Sequence, residues 1–146
     1  MKVVLQRVDY AKVFVKNQLI NEVKRGYLLL IGFKNGDNLA DVEYLAKKIS
    51  ALRVFEDENH KLNLSILDVK GEILAISQFT LYGDFKKGNR PSFTESMEYH
   101  KAEKMYLEFT RLLKEKYQIE VKNGVFGEHM KIELINDGPV TMILEC

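Results

Sequence analysis

A chain of 146 residues, 46% of them hydrophobic, has the size of one ordinary domain and enough apolar surface to bury a core without staples. Its 22 Lys and Arg against 21 Asp and Glu leave no global field to recruit nucleic acid or an anionic membrane, so any polyanion must be met by a local patch. The single cysteine, Cys146, excludes an internal disulfide framework and fits a reducing compartment. MKVVLQRVDY has too short an apolar run for a signal peptide, and no window approaches the roughly 20 apolar residues of a spanning helix, so the expected setting is the cytoplasm, off the membrane.

In chain order, KVVLQRVDYAKVFVKNQLINEV reads as two strands, with Val13 and Val15 alternating with Lys12 and Lys16 and a reversal at Asn17-Gln18. GYLLLIGF, between Gly26 and Gly32, is a continuous apolar run that suits a strand buried on both faces. The period then changes: Leu39, Val42, Leu45, Ile49 and Leu52 recur every three or four positions, with Asp37 or Asn38 able to cap and Asp41 in the first turn. That pattern predicts an amphipathic helix from Asn38 to Leu52. A second, over about residues 98 to 117, places Ala102, Tyr106, Phe109 and Leu113 on one face. GEILAISQFTLY between them, and QIEVKN and HMKIELIN after them, predict further strands, and Gly138-Pro139 interrupts the last apolar alternation before Val140 to Leu144 resume it. The fold class is mixed α/β: one strand-rich domain over residues 1–146, a barrel-like mixed sheet with two amphipathic helices.

The common catalytic constellations are missing. There is no G-x-S-x-G elbow, no P-loop and no G-x-G-x-x-G after a strand. His60, His100 and His129 are widely separated, which argues against a zinc hydrolase. The densest polar insertion in an apolar strand is SQFTLYGD: Ser77, Gln78 and Thr80 carry hydroxyls and an amide, but in a regular strand Ser77 and Phe79 face away from Gln78 and Thr80. Only a bulge or a strand end gathers them, and ordinary strand packing is an equally good account. Thr80 as a nucleophile needs a base that nothing nearby in sequence supplies. The loop FKKGNRPSF sets Lys86, Lys87 and Arg90 around Gly88; it is either a solvated turn or a small phosphate-contacting arm.

Taken together, SQFTLYGDFKKGNRPSF, NLSILDVKGEILAISQF and NDGPVT, with VLQRV at the start and FG before Met130, resemble the D-aminoacyl-tRNA deacylase (D-tyrosyl-tRNA deacylase) family from Met1 to Leu144. The resemblance implies a homodimeric proofreading hydrolase of translation quality control, without metal or cofactor, whose partner is a tRNA acceptor end carrying a D-amino acid or glycine. It further implies that Ser77, Gln78, Phe79 and Thr80 form the adenosine and ester pocket. Backbone N–H groups around Phe79 and Thr80 would stabilise the oxyanion, with the tRNA 2′-hydroxyl assisting the water. Gly138 and a cis Pro139 would reach into the partner's site as a main-chain wall against L side chains, with Arg7 and Met130 supporting that turn. Lys86, Lys87 and Arg90 are the candidate phosphate contacts. Two alternatives stay open from the residues themselves: a threonine-dependent esterase using Thr80, and a non-catalytic protein that binds an RNA end or a metabolite. For Arg7 the plain reading is a pair with a strand-edge carboxylate, and for Met130 it is core packing.

Overall fold

The structure, a computed structural model, describes residues 1–86 and 88–146. Lys87, one of the three candidate phosphate contacts, lies outside the described residues. Strand β1 (Lys2–Val15) is the spine of the sheet. On one side it pairs antiparallel with β2 (Gln18–Val23) along its second half and with β3 (Gly26–Gly32) along its first half; on the other it pairs with β8 (Met130–Glu145). Beyond β3 the sheet continues in parallel with β6 (Glu72–Ser77) and β7 (Glu120–Asn123). Its far side curls back onto β2: the Asn21 amide donates to the Asn123 carbonyl at 2.7 Å and the Lys122 ammonium to the Glu22 carbonyl at 3.0 Å, so the sheet is a nearly closed barrel. A separate hairpin joins β4 (Arg53–Glu56) and β5 (Leu62–Ser65).

The first reversal falls at Lys16 and Asn17, one residue before the expected place. Both have positive φ (49° and 63°), the pair of left-handed residues that matches a two-residue hairpin to the twist of its strands. β3 is buried on both faces because each face meets a different core. Tyr27, Leu29 and Ile31 point into the larger cluster, beneath helices α1 (Leu39–Ala51) and α2 (Tyr99–Glu115), while Leu28 joins Val8, Val13, Leu74 and Ile76 on the other side of the sheet. Asn38 starts α1 with a full capping box: its side chain accepts from the Ala40 N–H at 2.9 Å while Asp41 accepts from the Asn38 N–H at 2.8 Å. α2 buries Tyr106, Phe109 and Leu113. Glu98 caps its start, and the His100 and Lys101 N–H groups that it accepts hold its carboxyl below the usual carboxylate range. Among the described residues no helix is long and apolar enough to cross a membrane.

Two segments differ from the sequence expectation. The strand expected to run to Tyr82 stops at Ser77, and Phe79–Tyr82 form a short 3-10 turn. The last rung is the bond from the Gln78 N–H to the Ile31 carbonyl at 2.7 Å; β3 then ends at Gly32, so the following residues have no neighbour to pair with. The second difference is at Gly138-Pro139, where the chain does not reverse. β8 stays on β1 throughout, with Gln6 opposite Thr141 and Val8 opposite Asn136, so residues 137–140 stand opposite Arg7 alone and project as a wide bulge.

Candidate active site

A cavity of about 680 Å³ opens where the parallel strands β3, β6 and β7 end, the place where open α/β sheets hold their ligands. Ser77, Gln78 and Phe79 line it from the end of β6, and Met130 and Ile132 from the start of β8. Close approach of two backbones builds this corner: a Cβ on Gly32 would stand 2.9 Å from the Gln78 carbonyl oxygen. The strand end thus gathers Ser77, Gln78 and Phe79 in a way that a straight strand could not.

Thr80 is exposed and does not line the cavity; its hydroxyl accepts a hydrogen bond from the Gln78 amide. Among the described residues the N–H groups of Phe79 and Thr80 have no acceptor within the protein, while the Phe79 carbonyl accepts from the Ser96 hydroxyl at 3.3 Å. The Phe79 ring is 58% exposed and rests edge-on against Phe93 at 5.0 Å. That contact ties the basic loop to the rim, for Phe93 directly follows the hydrogen-bonded pair Asp84 and Ser92 that closes the loop. Lys86 and Arg90 are exposed on the loop, outside the cavity lining. Removal of the Thr80 hydroxyl (Thr80→Ala) is expected to leave single-turnover deacylation within about five-fold of the parent, because only a neutral, exposed hydrogen bond is lost. A folded but inactive variant would instead make the hydroxyl the nucleophile.

Gly138 and Pro139 are exposed, the peptide bond between them is cis, and neither lines this cavity. They lie eight residues along β8 from Met130, roughly 25 Å of extended chain. Met130 therefore does not support the Gly138-Pro139 segment of its own chain; it lines the cavity and packs against the smaller core, as its plain reading had it. Arg7, by contrast, contacts the entering arm of that segment. Its guanidinium, in a residue only 3% exposed, bonds Asp137 through Nε (2.9 Å to Oδ2, 3.2 Å to the carbonyl) and the Val54 carbonyl through Nη1 at 2.7 Å, with Glu56 at 3.7 Å from Nη2. The carboxylate that Arg7 pairs with, Asp137, belongs to the bulge. Burial pushes the neighbouring Tyr27 phenol well above its ordinary value against the opposing pull of Arg7, so the hydroxyl stays neutral beside the guanidinium. Gly138 has φ +121°, and a Cβ there would meet Val140 Cγ2 at 2.9 Å and Arg7 Nη2 at 3.0 Å, so this position accepts glycine.

Sequence reasoning missed part of the lining. Ser96, Tyr99, Phe126, Gly127 and His129 reach the cavity from two loops and the start of α2, far apart in sequence. The FG dipeptide before Met130 was the only signal for any of them. Asn136, at the neck of the bulge, was also missed.

The chain is similar throughout its length to known proteins. The family model described as D-Tyr-tRNA(Tyr) deacylase matches residues 4–145. A D-aminoacyl-tRNA deacylase of Thermosipho africanus is 50% identical over 145 residues, covering 99% of this chain and 97% of the relative. One of Clostridium botulinum is 51% identical, with the same coverage of both. Among solved structures, that of a "c-Myc DNA Unwinding Element Binding Protein" superposes with a TM-score of 0.94 at 41% identity, covering 100% of this chain and 99% of its own. A probable eukaryotic D-amino acid tRNA deacylase, 16% identical, shares the fold with a TM-score of 0.83 over 98% of this chain and 97% of its own. With a match of this identity over nearly the whole chain, the molecule built around this strand-end cavity belongs to the D-Tyr-tRNA(Tyr) deacylase family.

Proposed function

We propose that the protein hydrolyses the ester joining a D-amino acid to the terminal adenosine of tRNA, and that it works as a homodimer in which the 137–140 bulge of one protomer closes the cavity of the other. The observation that carries this reading is the separation of the two functional parts. The tip of the bulge, Gly138-Pro139, is exposed and its entering arm is braced by Arg7, yet Gly138 stands six residues, roughly 20 Å, along β8 from Ile132 in the cavity lining of its own chain, which supports a reading in which it serves the cavity of a second copy. Water attacks the ester carbonyl, the tetrahedral oxyanion takes hydrogen bonds from the free N–H groups of Phe79 and Thr80, and the 3′-oxygen leaves with a proton. Products are the free D-amino acid and tRNA. The ribose 2′-hydroxyl assists the water, a reading supported by the exposure of Thr80 and its position outside the cavity lining. Lys86, Lys87 and Arg90 meet the acceptor-stem phosphates.

Chirality is read by exclusion. An apolar pocket separates substrates by only about 1–3 kcal/mol per methylene, and two enantiomers bury the same groups. A main-chain wall has no such ceiling and is indifferent to the D side chain bound. Matched D-Tyr-tRNA and L-Tyr-tRNA test the reading directly: the D ester is expected to be turned over in excess of enzyme and the L ester to persist. Glycyl-tRNA, with no side chain to collide, is expected to be cleaved measurably. Equal rates for D and L would end the proposal. The 41% identical relative, named for binding a DNA element, favours one second reading, nucleic-acid binding without chemistry; a binder would protect the D ester or leave its lifetime unchanged.

A further inference from the structure

The bulge at 137–140 has a neck, and one side chain spans it. The Asn136 carboxamide accepts the Val140 N–H at 3.0 Å through Oδ1 and donates to the Thr141 hydroxyl at 2.9 Å through Nδ2. Thr141 in turn accepts from the Gln6 amide on β1 at 3.3 Å, so the neck is tied back to the spine of the sheet. Arg7 grips the entering arm at Asp137, whereas Asn136 joins the entering arm to the leaving arm. Within the loop, Gly138 and Pro139 are exposed and carry no side chain able to brace it.

We infer that Asn136 is a specificity-determining positioning residue, which holds the bulge closed so that its backbone excludes L-aminoacyl esters. The inference rests on the proposed chiral reading of the bulge. The physical argument is that a wall discriminates only as sharply as it is held. A four-residue bulge with an exposed tip samples wider openings once its cross-brace is lost, and each opening admits the differently directed L side chain while leaving the D pose intact. Asn136 does not line the cavity, so its loss is expected to spare the catalytic step. It also explains why an amide stands there: one group must accept a backbone N–H and donate to a hydroxyl at once, which asparagine does with its two different termini.

The experiment compares single-turnover hydrolysis of D-Tyr-tRNA and L-Tyr-tRNA by the full-length parent, Asn136→Ala, Thr141→Val and the double variant. Asn136→Ala is expected to raise the L rate about ten-fold while the D rate stays within about two-fold, the loss of two ordinary hydrogen bonds. Thr141→Val is expected to move the L rate the same way by a smaller factor. The double variant is expected to match Asn136→Ala alone, because the two residues share one bond. An unchanged D/L ratio, or D and L rates falling together, overturns the inference. If Asn136→Ala fails to fold, Thr141→Val decides by the same ratio. A parent enzyme that does not distinguish D from L would instead sink the chiral reading itself, before Asn136 is tested.

Discussion

A tRNA whose terminal adenosine lacks the 2′-hydroxyl is expected to resist the enzyme, its single-turnover deacylation falling by at least about 100-fold, the lower end of what one positioned proton acceptor contributes. The expectation follows from what surrounds the cavity. Thr80 is turned away with its hydroxyl bonded to Gln78, and the Ser96 hydroxyl is bonded to the Phe79 carbonyl. Neither is paired with a base, as an activated nucleophile requires. His129 and Glu128 do line the cavity, both exposed, and they are the protein's own candidates for moving a proton. The measurement therefore pairs the 2′-deoxy substrate with His129→Ala on normal substrate. Near-normal cleavage of the deoxy ester together with an inactive His129→Ala enzyme would place the base on the protein and overturn substrate assistance.

Replacing Arg7 with alanine is expected to lower folding stability by about 2–4 kcal/mol and to remove most deacylase activity. The guanidinium is buried and serves three partners, Asp137, the Val54 carbonyl and Glu56. Its loss leaves the Val54 carbonyl without that bond and frees the arm of the bulge. Asp137 is itself 36% exposed and can rehydrate, which keeps the cost below that of breaking a fully buried pair. Urea unfolding checks the first part, with a lower midpoint at unchanged slope expected. Arg7→Lys is expected to recover only part of either quantity, because one ammonium cannot reproduce a planar fork reaching toward three acceptors. Stability within about 0.5 kcal/mol of the parent for Arg7→Ala would mean the bulge holds itself, contrary to the bonding described above.

What could be read from the residues, and what could not, divides along local and non-local causes. Helix α1 was legible to within a residue because its start is written locally, Asn38 and Asp41 closing on each other's backbone. The two-faced burial of β3 was legible because a continuous apolar run between glycines has few other uses. The end of β6 was not, since Phe79, Thr80 and Tyr82 favour strands, and only the departure of β3 at Gly32 denies them a partner. Gly138-Pro139 reads as a turn in isolation and becomes a bulge only against the register of β1, 130 residues away in the case of Arg7 and Asp137. Arg7 entered through the family resemblance rather than through any pattern of its own, and the lining by Ser96, Tyr99 and Phe126 exists only once three strand ends are brought together.

The spine strand has a consequence for biogenesis. β1 is synthesised well before β8, and they pair with each other along nearly their whole length. Until synthesis reaches Met130 and beyond, one edge of β1 waits uncovered and the cavity lacks the wall formed by Met130 and Ile132. A partly made chain is thus exposed to mispairing along that edge.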